Sequence, residues 1–239
     1  MPARPQDIRG VLFDKDGTLI DFEKTWFAIG DHMALEAAKG DRALADRLLD
    51  EAGYDFATRT VRADSVFAAG TNADIVALWY PRAGMDERQV LTARFDAFTA
   101  TEGAARSVPV EGCAGAIRAL HAVGLRLGVA TNDSTAGAEM TLAALGLSQL
   151  FDAVYGYDAV ARPKPAPDTV EAFCDLTGLR TAQVAMVGDN RHDLEMAKAG
   201  GAGLAVAVLS GTGTRESLSP LADVILESVA DLPAFFSGR

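Results

Sequence analysis

Two aspartates, Asp14 and Asp16, follow the apolar run Gly10-Val11-Leu12-Phe13 and precede Gly17-Thr18-Leu19. A short unbroken apolar run reads as a strand of a parallel sheet covered on both faces, and Gly17-Thr18 supplies the turn that ends it. Side chains alternate along an extended backbone, so Asp14 and Asp16 project one way while Lys15 points elsewhere. Two carboxylates in one small space resist joint ionisation unless a cation lies between them. Magnesium suits that position, because it takes oxygen ligands and favours one or two carboxylates plus a substrate phosphate. A lone Asp-x-Asp would equally serve as ordinary turn chemistry.

Other polar residues stand at comparable places. Thr131 and Asn132 follow the apolar run Leu127-Gly128-Val129-Ala130, and their hydroxyl, amide and neighbouring backbone N–H groups could hold phosphoryl oxygens. Lys164, framed by Pro163 and Pro165, is held on a stiff backbone and could stabilise a developing negative charge. Asp189 and Asp193 stand four apart at the start of an expected helix, one turn from each other on one face. Acids there also serve as helix caps, and turn chemistry alone would account for Thr131 and Asn132.

The ordered set resembles the haloacid dehalogenase-like (HAD) superfamily. Gly10 to Leu19 is similar to its first motif, Leu127 to Asn132 to its second, Lys164-Pro165 to its third, and Gly188-Asp189-Asn190-Arg191-His192-Asp193 to its fourth. The resemblance implies that Asp14 is a nucleophile forming an aspartyl-phosphate. It implies that Asp16 is the general acid for the leaving alcohol, then the base for water, and that its backbone carbonyl also binds metal. Thr131, Asn132 and Lys164 would then bind the phosphoryl group. Asp14, Asp16, Asp189 and Asp193 would hold Mg2+, Asp193 through water or by orienting its neighbours. The second acid, Asp16, separates the chain from dehalogenase and phosphonate hydrolase branches and favours phosphate esters.

With 239 residues and 49% hydrophobic content, the chain can bury a full core, as one domain or as a core plus an insert. A net charge of −11 and a pI near 4.7 argue against nucleic acid or an anionic membrane surface as partner. The N-terminus lacks the pattern of a secretory signal, and no stretch reaches the ~18 uninterrupted apolar residues of a membrane helix. A soluble cytoplasmic protein, monomer or homodimer, is expected. Cys113 and Cys174 show no metal-ligand spacing and read as buried free thiols.

The elements that must position these residues are legible as alternating patterns. Strands are expected at Gly10 to Phe13, Leu125 to Ala130, Ala153 to Tyr155, Val184 to Val187 and Leu204 to Val208, with a last one at Asp223 to Leu226. Helices stop at Gly124 and Gly146. Alternation of this kind predicts an α/β fold with a doubly wound parallel sheet, whose ligands bind beyond the carboxyl ends of the strands. Between the first and second motifs the pattern turns helical: Trp26, Ile29, Met33 and Ala37 recur at helical spacing, Ala43 to Ala52 continues, and Asp86 reads as a capping acid. The resemblance implies a small all-helical cap at residues 21–104 on a Rossmann-like core of residues 1–20 and 105–239.

A magnesium-dependent phosphomonoester hydrolase acting on a small phosphorylated metabolite is therefore expected. Ala69 to Val76 is similar to a cap segment of phosphoglycolate phosphatases, which points to phosphoglycolate, although Thr71 or Asn72 would also serve as a plain helix cap. A glycolate carboxylate calls for a cap cation, and Lys24, Arg59, Arg62 and Arg82 are candidates. Lys15 and Asp133 depart from the family pattern and bear on the substrate rather than the reaction. His121 and His192 read as surface or packing residues, and Trp26, Trp79 and Tyr80 as core or cap-interface aromatics. The alternatives are another small phosphate ester, a sugar phosphomutase of the same fold, a catalytically silent binding protein and, more remotely, a phosphate-accepting signalling receiver.

Overall fold

The computed structural model describes residues 2–237. In chain order it runs β1 (Gly10–Phe13), α1 (Phe22–Ala37), α2 (Arg42–Ala52), β2 (Tyr54–Asp55), β3 (Thr60–Val61), α3 (Val66–Ala69), α4 (Asn72–Trp79) and α5 (Met85–Arg106). It continues through α6 (Cys113–Ala122), β4 (Arg126–Ala130), α7 (Thr135–Ala144), β5 (Ala153–Tyr155), α8 (Asp168–Thr177) and β6 (Val184–Gly188). The last elements are α9 (Arg191–Ala199), β7 (Leu204–Val208), α10 (Arg215–Leu218), β8 (Val224–Leu226) and α11 (Leu232–Ser237).

Six strands form one parallel sheet in the order β5-β4-β1-β6-β7-β8, with Leu12 in register with Gly128 on one side and Met186 on the other. The expected α/β doubly wound sheet is the fold observed. β1 is apolar throughout because both faces are covered: Val11 and Phe13 join a cluster with Ile117, Val129, Leu142 and Val187, while Leu12 faces Val170, Phe173, Met186 and Leu194. Each such side chain contributes roughly 1.5–3 kcal/mol on burial. Strand order reverses around β1, with β4 to one side and β6 to the other, and this opens a crevice at the carboxyl edge.

Helices α1 to α5 form a separate apolar cluster from Phe22, Trp26, Ile29, Leu49, Ile75, Trp79 and Phe95. They also carry a short antiparallel pairing, β2 with β3, which helical spacing alone does not reveal. The capping position of α5 differs from the sequence expectation. Gly84 is its N-cap, and Asp86 and Glu87 lie in the first turn, where their charges favour the helix N-terminus without a side-chain cap bond. Thr71 opens α4 through a reciprocal capping box with Asp74. Tyr157, beyond β5, donates its hydroxyl to Asp96 Oδ2 of α5 at 2.5 Å and ties the helical layer to the sheet. No helix among the described residues is long and apolar enough to cross a membrane.

Candidate active site

The carboxyl ends of three adjacent strands deliver the polar side chains. Asp14 follows β1, Thr131 and Asn132 follow β4, and Asp189 follows β6. Lys164 arrives from the loop between β5 and α8, across a cis peptide to Pro165. All of these, with Asp16 and Asp193, line one cavity beneath the helical layer.

Lys164 sits at the centre. Its Nζ donates to Asp14 Oδ1 and to Asp193 Oδ1, each at 2.6 Å, with all three side chains buried. Burial alone would lower the ammonium, but the carboxylates of Asp14 and Asp193 more than offset it and leave the group raised. Asp193 divides its two oxygens between roles. Oδ1 takes the lysine, while Oδ2 accepts the backbone N–H of Asn190 at 3.0 Å in the capping box that opens α9. One side chain thus caps α9 and bonds the buried lysine of the cavity.

Asp14, Asp189 and Asp193 each present a carboxylate oxygen within 4.8 Å of the others, and all three are buried. Burial drives the Asp14 carboxyl well above the ordinary range; Lys164 pulls it down, and Asp193, Asp189 and Asp16 push it up again. Asp189 is pushed up to about 7, by burial first and by Asp193 next, against the N–H of Thr212 and the charge of Lys164. Three converging acids with one lysine leave an excess of negative charge and an all-oxygen donor set. That combination fits a hard divalent cation such as magnesium. The side chain of Asp16 stands outside this trio, so only its backbone carbonyl is left for the metal role that the family resemblance implied.

The backbone is shaped to admit Asp189. Gly17 has φ +84°, and a Cβ on it would lie 2.6 Å from Asp189 Oδ2; a Cβ on Gly211 would lie 2.0 Å from the same oxygen. The segment Ser210 to Thr214 after β7 completes this wall. Thr212 N donates to Asp189 Oδ2 at 2.8 Å, and Ser210 Oγ donates to the carbonyl of Gly17 at 2.7 Å. Sequence reasoning missed this loop. Its signal was a polar Ser-Gly-Thr-Gly-Thr run directly after an apolar strand, the same grammar as the other motifs.

Asp16 is held in a second network. Its Oδ1 accepts from Lys15 Nζ at 2.6 Å and from the Trp26 indole at 2.5 Å, and its Oδ2 from Thr131 Oγ1 at 3.4 Å. Strand alternation sends Lys15 away from its neighbours, but β1 ends at Phe13, and the long side chain returns, fully buried, between Asp16 and Asp133. Its Nζ also lies 5.0 Å from the Trp26 ring centroid. Burial lowers this ammonium and the two acids raise it, the acids prevailing; Asp133 is raised by its own burial, Lys15 partly offsetting that. Lys15 and Asp133, the two departures from the family pattern, are partners.

Asn132 lies at the cavity, but its amide donates to the carbonyl of Ala69 in the helical layer at 2.7 Å. His192 also lines the cavity, and its Nδ1 is buried with no partner among the described residues. Trp26 and Trp79 line it too. None of Lys24, Arg59, Arg62 and Arg82 does so. Cys113 and Cys174 are both buried free thiols.

A family model for haloacid dehalogenase-like hydrolases matches residues 8–201. A phosphoglycolate phosphatase from Shigella dysenteriae is 33% identical over 234 residues, covering 95% of this chain and 92% of that protein. The phosphoglycolate phosphatase of Escherichia coli K12 is 32% identical over 233 residues, with the same coverage. Among solved structures, a haloacid dehalogenase-like protein from Bacteroides fragilis superposes with a TM-score of 0.75 at 18% identity, covering 94% of this chain and 99% of that one. CbbY from Rhodobacter sphaeroides, in complex with phosphate, superposes with a TM-score of 0.65 at 24% identity over 94% and 96%. From the match of the family model and the relatives that span nearly its whole length, the chain belongs to the haloacid dehalogenase-like hydrolases.

Proposed function

We propose that the protein is a magnesium-dependent phosphomonoester hydrolase that works through an aspartyl-phosphate on Asp14, with a small phosphorylated metabolite as substrate. The observation that carries this reading is Lys164, buried and bonded at 2.6 Å to both Asp14 and Asp193 beside Asp189. A nucleophilic carboxylate, a fixed cation and a cluster of oxygen donors are the parts that phosphoryl transfer needs, since its catalysis is mostly positioning and charge stabilisation.

Lys164 holds Asp14 by Oδ1, leaving the other oxygen of Asp14 to attack phosphorus as the ester P–O bond breaks. Asp16 gives a proton to the departing alkoxide. It then takes one from water, which attacks the phosphorus, releases inorganic phosphate and restores Asp14. Thr131 and Asn132, which line the same cavity, would hold the phosphoryl oxygens, Asn132 by exchanging its present contact with Ala69 for the phosphoryl group. Magnesium, held by Asp14, Asp189, the Asp16 carbonyl and Asp193, would neutralise charge on the phosphoryl oxygens. We take the helices between β1 and α6 as the cap that excludes water.

The names of the relatives make phosphoglycolate the first ester to test. The experiment is inorganic phosphate release from a panel of esters, with magnesium and with chelator. Magnesium-dependent release is expected. A protein that moves phosphoryl groups between sugar positions without releasing phosphate would be a mutase, and one that releases none from any ester would overturn the reading.

A further inference from the structure

We infer that the leaving group of the substrate is an uncharged, apolar organic group, not a carboxylate or a polyol. The inference rests on the phosphatase reading and concerns the half of the cavity built by the helical layer. That half is walled by Phe22, Trp26, Met33, Phe67, Ile75 and Trp79. Among the described residues, Lys164 is the one lysine or arginine in the cavity lining, and it is committed to Asp14 and Asp193 on the sheet side.

The cations that a carboxylate would need face other ways. Lys24 is exposed and pairs with Asp21 at 2.6 Å, Arg62 is exposed and pairs with Asp50 at 2.9 Å, and Arg59 and Arg82 are exposed and outside the lining. The helical layer's own polar side chains in the wall are already engaged. Thr71 Oγ1 donates to Asp74 Oδ2 at 2.8 Å and accepts the Asp74 N–H, so the entrance of α4 already carries a carboxylate. Asn72 spends its amide on Asp96 Oδ1 at 2.8 Å and on Thr99 Oγ1 at 2.9 Å, and Thr99 Oγ1 itself donates to the Asp96 carbonyl at 3.2 Å. The unpartnered polar atoms of the cavity among the described residues, Asn132 Oδ1, Asn190 Nδ2 and His192 Nδ1, belong to the segment that carries Thr131 and to the start of α9 beside Asp189 and Asp193, on the sheet side of the cavity.

A carboxylate brought into this wall would lose water without gaining a cation, and would add to the charge of Asp16 and Asp133. A polyol would bury hydroxyls with too few free partners. An alkyl or aryl group loses nothing there and gains the burial of its own surface.

The test uses the full chain with magnesium and compares kcat/KM for n-butyl phosphate, phosphoglycolate and glucose 6-phosphate. Butyl phosphate should exceed the other two by about tenfold or more, the scale on which apolar pockets discriminate. Phosphate release from none of them overturns the phosphatase reading itself. Release with phosphoglycolate or glucose 6-phosphate equal to or faster than butyl phosphate leaves that reading standing and overturns this inference. Phe67→Lys, at a half-buried wall position, places a cation in the cavity. The ratio of phosphoglycolate to butyl phosphate turnover should rise about tenfold, and an unchanged ratio in a folded, active variant overturns the assignment to this wall.

Discussion

Trp26 of α1 donates its indole N–H to Oδ1 of Asp16, 2.5 Å away, the oxygen that also accepts from Lys15. The helical insert therefore reaches into the first motif and grips the side chain proposed as acid and base. Asp21 opens α1 by accepting the Lys24 N–H at its side chain.

Trp26→Phe keeps most of the apolar ring and removes the donor. A hydrogen bond to a charged group contributes about 1.5–3 kcal/mol, so if the bond positions Asp16 for proton transfer, kcat should fall about tenfold or more. Steady-state kinetics beside a thermal melt checks this. An unchanged kcat in a folded variant would show that Asp16 is oriented without the indole.

Lys15→Met leaves Asp16 and Asp133 facing each other without the cation between them. Removing one partner from a buried ion pair costs on the order of 3–5 kcal/mol, read as a shift in denaturant midpoint. Adding Asp133→Asn should return part of that loss, because one of the two stranded charges disappears. Additive effects of the two substitutions would mean that the 3.2 Å contact carries no coupling.

Asp14→Asn should abolish turnover while the protein stays folded, since it replaces one oxygen and almost no volume. Asp16→Asn should still permit some transfer to Asp14 but slow the overall reaction by roughly 10²–10⁴-fold, the usual contribution of general acid–base catalysis. Rapid-quench detection of phosphoprotein separates the two. Normal turnover in Asp14→Asn would eliminate the covalent route.

Magnesium should raise the melting temperature, because it relieves the repulsion among Asp14, Asp189 and Asp193 in the folded state alone. At a hundredfold excess over its dissociation constant the gain is about 2.7 kcal/mol. Asp189→Asn should lose most of that shift, and a shift of the same size in the variant would place the cation elsewhere.

The strands and the acids at their ends were legible because both follow from short local patterns. Gly10 to Phe13, a short unbroken apolar run ended by a turn, reads as a strand buried on both faces, and Leu204 to Val208 repeats that logic. Asp14, Asp189 and Lys164 were legible for the same reason, each standing at the end of a strand or in a rigid loop. What escaped depends on tertiary placement. Strand alternation says where Lys15 leaves the backbone, but not that a four-carbon stem will carry its ammonium back to Asp16. Trp26 reads as a core aromatic, and its burial fits that; only its tertiary contact with Asp16, beyond the end of β1, reveals the donor on its rim. The cap cation was inferred from the chemistry of a substrate, and the surface pairs of Lys24 and Arg62 show why charge type alone does not place a side chain in a cavity.

The backbone around Asp189 has a consequence for inheritance of activity. Gly17 and Gly211 both approach Asp189 Oδ2 so closely that a single added methyl group would occupy the carboxylate's own space. On the role proposed for Asp189, a descendant of this chain could retain every acid, the lysine and the threonine of its motifs and still lose activity through one alanine at position 211. Loss of function at this site can therefore be written entirely in residues that do no chemistry.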